Sequence, residues 1–150
     1  MILNDEYFMN KAFLEAKKAY RNGEVPIGCI ITDGTNIIAR AYNTKEKDQL
    51  VISHAEINAI KKANKKLGHW QLDNLIMYVT CEPCAMCAGA ILSSRIKRLV
   101  YATKEPKFGA FGSIINLNNY PFNHHLEITE LVMEERCSKL MKDFFKSLRH

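Results

Sequence analysis

The residues able to do metal chemistry fall in two short motifs, His54-Ala55-Glu56 and Pro83-Cys84-Ala85-Met86-Cys87. Cys84 and Cys87 stand three residues apart at the expected start of a helix, so their sulfurs fall on one face, close enough to hold one metal ion. The imidazole of His54 completes a set of three protein ligands. A fourth tetrahedral position is left for water, which is the arrangement of a catalytic zinc site and not of a closed structural one. The partial positive charge at a helix N-terminus, about half a unit, favours the thiolate forms of both cysteines. Zinc lowers the pKa of bound water toward about 7, so a nucleophile becomes available near neutral pH. Glu56, two residues past His54, is rotated by roughly 200° about the helix axis and can flank the site and handle protons without being a ligand.

Plainer readings exist for the same residues. Glu56 follows Ser53 at the offset of a helix capping box. A Cys-x-x-Cys pair alone equally suits a thioredoxin-type redox site or half of a structural zinc site. A fourth ligand from Cys81 would close the metal site, although Cys81 ends a strand too near Cys84 for comfortable shared coordination. The upstream His-x-Glu favours catalysis. Cys29 and Cys137 fall in apolar patterns and are expected in the core.

Several elements must position these motifs. Residues Asp5 to Asn22 read as a helix, with Met9, Ala12, Phe13, Ala16 and Tyr20 on one face and Asn22-Gly23 as the stop. Ile27 to Thr32 and Asn36 to Tyr42 read as strands of a hairpin turned by Asp33-Gly34-Thr35. After a polar stretch, Ser53 caps a helix running to about Lys66. Asn74 to Thr80 is a third strand, and Pro83 stands as the first-turn proline of a helix reaching about Leu92. Arg98 to Ala102 is a fourth strand, Gly109 to Gly112 a loop, and Leu126 to Glu130 a fifth strand. Met133, Cys137, Leu140, Met141, Phe144, Phe145 and Leu148 form the apolar stripe of a final helix. An opening hairpin followed by strand-helix alternation predicts an α/β fold, a mixed sheet covered by helices.

Length and composition set outer bounds. The 150 residues, 47% hydrophobic and 25% charged, fit one domain over 1–150 with its own core. The start lacks the features of a secretory signal, and no apolar run approaches the roughly 20 residues of a membrane span. Five cysteines, an odd number, argue against a disulfide framework. A cytoplasmic protein without membrane partners is expected. The net charge of +5 gives a mild preference for anionic partners.

Beyond the ligand motifs, the chain resembles the cytidine deaminase-like superfamily, and within it the bacterial tRNA-specific adenosine deaminases. The resemblance runs through Glu24-Val25-Pro26-Ile27-Gly28, Ala41-Tyr42-Asn43, both metal motifs, Ser94-Arg95-Ile96 and Lys107-Phe108-Gly109-Ala110-Phe111-Gly112-Ser113, and so covers nearly the whole chain. It implies a three-layer α/β/α fold around a mixed five-stranded sheet. It further implies one Zn2+ per subunit on His54, Cys84 and Cys87, and no organic cofactor. Glu56 would carry a proton to the base and to departing ammonia as adenine C6 is attacked. By the same resemblance Asn43 would hydrogen-bond the flipped nucleotide, Val25 and Pro26 would line the base pocket, and Glu105 and Lys107 would meet the substrate. The implied substrate is wobble adenosine in the tRNA anticodon arm, and the implied assembly is a homodimer.

Two positions depart from the family pattern, Cys81 where an aliphatic residue is usual and Glu105 where Asp is usual, and both bear on pocket specificity. Lys104, Lys107, Lys139, Lys142, Lys146 and Arg149 are candidates for RNA contact as a cluster, though each alone reads as a solvated side chain. Of Phe144 and Phe145, periodicity places at least one in the core. Two rival functions are a free nucleobase deaminase acting on guanine or cytosine, which needs no basic surface, and a non-catalytic RNA-binding module with a structural zinc, in which Glu56 is only a cap.

Overall fold

In the computed structural model, which describes residues 4–149, the first helix α1 (Asp5–Arg21) is capped by Asn4, whose side-chain oxygen accepts the Tyr7 N–H at 2.8 Å. Residues 1–3 and 150 of the expected domain lie outside the described residues. Phe8, Met9, Ala12, Phe13, Ala16 and Ala19 recur at helical spacing and form the buried face of α1. That face lies directly on strand β1 (Gly28–Thr32): a Cβ at Gly28 would stand 2.0 Å from the Ala12 carbonyl oxygen and 2.3 Å from the Ala16 nitrogen, so only glycine fits.

A turn over residues 33–36 leads to β2 (Ile37–Tyr42). The Asp33 carboxylate accepts the N–H groups of Thr35 and Asn36 at 2.8 and 2.7 Å, and Gly34 takes φ +101°. Thus the hairpin forms as expected, with a turn one residue longer than the three read from sequence. The remaining elements are α2 (Lys45–Asp48), α3 (Ala55–Leu67), β3 (Ile76–Cys81), α4 (Ala85–Ser93), β4 (Arg98–Thr103), a 3-10 turn over Leu117–Asn119, β5 (Glu127–Glu130) and α5 (Glu134–Ser147).

The five strands form one sheet in the order β2-β1-β3-β4-β5. β1 pairs antiparallel with both β2 and β3, whereas β3–β4 and β4–β5 are parallel. Alternating residues send side chains to opposite faces. Ile30, Tyr78, Val100 and Ala102 meet α1 and Cys137 of α5, whereas Cys29, Ile31, Met77, Val79, Leu99 and Tyr101 meet the alanines of α3 and α4. The result is the expected α/β/α three-layer arrangement, with β1 and β3 covered on both sides, which explains their nearly uninterrupted apolar runs. Cys29 and Cys137 are buried, as their patterns predict.

Two local expectations are corrected and one element is added. Ser53 does not cap α3; His54 does, one residue later, so no Ser53–Glu56 capping box forms and Glu56 falls in the first helical turn. Pro83 is not in the first turn of α4, because Cys84 is its N-cap and Pro83 precedes it. The Pro83 carbonyl instead accepts the Ala110 N–H at 2.9 Å, pinning the following loop. The polar stretch after β2, in which no element is expected from the sequence, contains α2, whose first turn is held by the remote Glu24 carboxylate accepting the Glu46 and Lys47 N–H groups at 3.0 and 2.8 Å.

Candidate active site

Helices α3 and α4 start side by side on one face of the sheet, and their first residues carry the chemistry. His54 and Cys84 are the two N-caps, both with extended backbone, and Cys87 follows three positions into α4. The N-cap and third helical positions are neighbours in space, so displacing Cys84 out of the helix leaves both sulfurs facing one point. His54 Nδ1 lies 3.7 Å from Cys84 Sγ and 3.5 Å from Cys87 Sγ, and the three ligand atoms fall within 4.8 Å of one another. Zinc held tetrahedrally with ordinary Zn–N and Zn–S bonds would separate an imidazole nitrogen from a thiolate by about 3.6 Å. The donor set therefore fits zinc. Cys81 is not among these ligands.

Electrostatics at the cluster follow from proximity. A hydrogen bond from the Cys87 thiol, with a second contribution from His54, holds the Cys84 thiol down to about 4 against the opposing effect of burial. Cys87 is pushed strongly upward, because it keeps the proton that the pair shares. The Cys84 hydrogen bond raises His54 above the usual imidazole value. Glu56, 4% exposed, is pushed up to about 7, chiefly by burial, while its backbone hydrogen bond and the nearby His54 act the other way.

A pocket of about 440 Å³ opens onto the cluster. Val25, Asn43 and Glu105 line it together with His54, Glu56 and Cys84, while Cys87 is buried. Cys81 forms part of the wall, so this departure from the family pattern does touch the pocket. Two other expected residues lie off the lining: Pro26 is buried and Lys107 is exposed. The Lys107 N–H donates to Glu105 Oε1 at 2.9 Å. Asn43 braces the pocket wall, its side-chain amide donating to the Val25 carbonyl at 3.3 Å and its Oδ1 accepting the Lys45 N–H at 3.1 Å. Elsewhere, Phe144 is buried and Phe145 exposed, and Lys139 pairs with Asp143 at 2.8 Å.

Sequence reasoning overlooked Glu82 as a site residue. It is buried at the end of β3, and its Oε1 accepts the Glu105 N–H at 3.1 Å. Its Oε2 accepts the N–H groups of Phe111 and Ser113, each at 3.1 Å, and the Ser113 hydroxyl donates to Oε1. One carboxylate thus shapes the whole 105–113 loop that forms a side of the pocket. Gly109 is part of the same fit, since a Cβ there would stand 2.4 Å from the Glu82 carboxylate. Ile27, Lys45, Val51, Met86 and Phe108 also line the pocket. Their only signal in the sequence is proximity to the recognised motifs.

A model of the MafB19-like deaminase family matches residues 3–149. The tRNA-specific adenosine deaminase of Bacillus subtilis (strain 168) is 45% identical over 146 residues, spanning 97% of this chain and 91% of that protein. Among solved structures, a chain from studies of A-to-I editing by tRNA:A34 deaminases at the wobble position of transfer RNA is similar with a TM-score of 0.86 and 38% identity, over 89% of this chain and 98% of that one. A guanine deaminase from Nitrosomonas europaea shares the fold, with a TM-score of 0.80 at 20% identity over 96% of this chain and 86% of that one.

Proposed function

Because the chain belongs to the MafB19-like deaminase family and to the tRNA-specific adenosine deaminases, we propose that it deaminates wobble adenosine of the tRNA anticodon to inosine, with one zinc ion held by His54, Cys84 and Cys87. The observation that carries this reading is the convergence of those three ligands with the buried Glu56 at one end of an open pocket. Zinc there supplies Lewis acidity, bringing the pKa of water toward about 7 so that a nucleophile exists at neutral pH.

The reaction replaces the C6 amino group of adenine by oxygen from water and releases ammonia. Glu56 is suited to both proton transfers, since it lines the pocket beside the three donors and its burial favours the protonated form more than in an ordinary carboxyl. Its carboxylate takes a proton from the water, gives it to the ring nitrogen, and serves the departing amine. A pocket of about 440 Å³ takes one nucleotide and not a stacked loop, so the target base must be splayed out of the anticodon. Val25 gives the base an apolar wall, next in the chain to the buried Pro26, and Asn43 and Glu105 offer hydrogen bonds to the nucleotide edge. To Lys107, exposed outside the pocket lining, this reading assigns a contact to the RNA beyond the base.

On this reading residues 1–150 act as one deaminase domain, in the cytoplasm with the tRNA. No helix among the described residues is long and apolar enough to cross a membrane. We also take the enzyme to work as a homodimer. Gly89, Ser93 and Phe122 line an open depression beside α4, and the exposed Ile114 and Tyr120 add apolar surface from the same loop region, which a second copy would cover.

The test incubates the protein with an anticodon stem-loop carrying wobble adenosine and, in parallel, with free guanine, cytosine and adenosine. Inosine in the RNA with equal ammonia, abolished by complete metal removal and restored by zinc, is the expected result. Turnover of a free base with silent RNA would move the enzyme to nucleobase metabolism, and turnover surviving metal removal would refute the zinc assignment.

A further inference from the structure

A second concave surface lies outside the catalytic pocket, between α2 and the outer face of α3. It has a volume of about 390 Å³ and is lined by Thr44, Lys47, Asn58, Lys61, Lys62 and Lys65, with Asp48 as its one acid. The four lysines are exposed, and Lys45, two residues before Lys47 and so on the opposite side of the short helix α2, lines the catalytic pocket, so lysines of α2 flank both the pocket and the groove. The ion pairs among the described residues are Lys18–Glu15, Arg98–Asp5 and Lys139–Asp143, so none of these lysines is neutralised by one. Lys62 Nζ does donate to the Arg40 carbonyl at 2.7 Å.

This arrangement works against local helix stability. Lys61 and Lys65 are four residues apart, as are Lys62 and Lys66, and like charges at that spacing repel. Favourable interaction with the helix dipole accounts for Lys65 and Lys66 in the last turn. It does not account for Lys61 and Lys62, nor for Lys47 facing them from another helix. A polyanion laid along the groove relieves this repulsion. From Asn58 to Lys65 the helix advances about 10 Å, whereas a DNA duplex carries a phosphate about every 3.4 Å of axis on each strand and an A-form RNA stem spaces them no more widely along its axis. The groove is therefore long enough for two or three phosphates.

We propose that the α2–α3 groove is a docking track for the sugar-phosphate backbone of the substrate RNA's stem, separate from the pocket that takes the base. It rests on the tRNA reading above. The track contributes affinity without sequence information, because lysine contacts to phosphate position a nucleic acid but do not read its bases.

The test compares the parent with a Lys61→Gln/Lys65→Gln variant on the anticodon stem-loop, measuring Kd over a range of salt and kcat at saturating RNA. The variant should bind about three- to tenfold more weakly at 0.1 M salt, with the slope of log Kd against log salt reduced by roughly 1.5 and kcat unchanged. The charge-preserving Lys61→Arg/Lys65→Arg variant should bind like the parent. Parental Kd and slope in the glutamine variant, with the parent deaminating the RNA normally, overturn the track and leave the deaminase reading standing. Weakened binding in both variants overturns it too, since that marks a structural defect. A parent that neither binds nor deaminates the RNA overturns both readings.

Discussion

Glu56 owes its chemistry to the position at which α3 starts. Had Ser53 capped the helix, the Glu56 carboxylate would have been drawn back to a backbone N–H; with His54 as the cap, it faces the pocket beside the ligands. We expect Glu56→Gln, nearly isosteric, to keep one zinc per chain by elemental analysis while turnover falls by about 10²- to 10⁴-fold. Loss of zinc along with activity would instead make Glu56 a support for the metal. The candidate ligands were legible in the sequence because the N-cap and third position of a helix are neighbours in space, which brings Cys84 and Cys87 together, and because the upstream His-x-Glu points to the same chemistry. Glu82 was not, since its hydrogen-bond partners at 105, 111 and 113 lie 23 to 31 positions along the chain and nothing near it marks the acid as buried.

The longer elements followed from periodicity, whereas short ones depended on remote partners: α2 has only four residues and takes its N-terminal hydrogen bonds from Glu24. The 105–113 loop depends on Glu82 in the same way. Glu82→Gln keeps the shape but replaces one acceptor oxygen by an amide donor facing backbone N–H groups. The variant should lose about 1–3 kcal/mol of stability in chemical denaturation, with KM for RNA rising more than kcat falls. Element docking on the opposite face rests on Asp5 at the start of α1. Asp5 accepts two hydrogen bonds from Arg98 at 2.8 and 2.7 Å and one from the Tyr78 hydroxyl at 2.6 Å, tying α1 to β3 and β4. The Arg98 hydrogen bond, opposed by partial burial, holds the Asp5 carboxyl below its usual value. A depressed carboxyl stabilises the fold fully above its unfolded value near 3.9, and the contribution is lost as pH falls through the lower folded value. Asp5→Asn should therefore cost about 1–2 kcal/mol at pH 7, discounted for partial exposure. That difference should shrink in acid, as denaturation at pH 7 and below pH 3 will show.

At the scale of the whole molecule, the sheet order β2-β1-β3-β4-β5 puts β3 between β1 and β4, and the end of β3 leads through Glu82 and Pro83 into Cys84 and Cys87 of the candidate metal cluster. The proposed dimer makes a prediction at this scale: light scattering should give twice the chain mass, and Phe122→Asp, charging an exposed apolar position beside α4, should give the monomer. An unchanged mass would place the subunit contact elsewhere. By itself, the sequence determined the two motifs that carry the metal-binding residue types, the alternation of strands and helices, and the apolar faces, because each depends on patterns of two to four residues that backbone geometry imposes. Only the tertiary structure decided the distances at which His54 meets Cys84 and Cys87 across thirty residues of chain, that Glu82 moulds a distant loop, and that lysines from α2 and α3 share one groove. Those meetings depend on how two helical layers pack against the two faces of one sheet, and such packing is set by the summed burial of many residues, not by the spacing of a few.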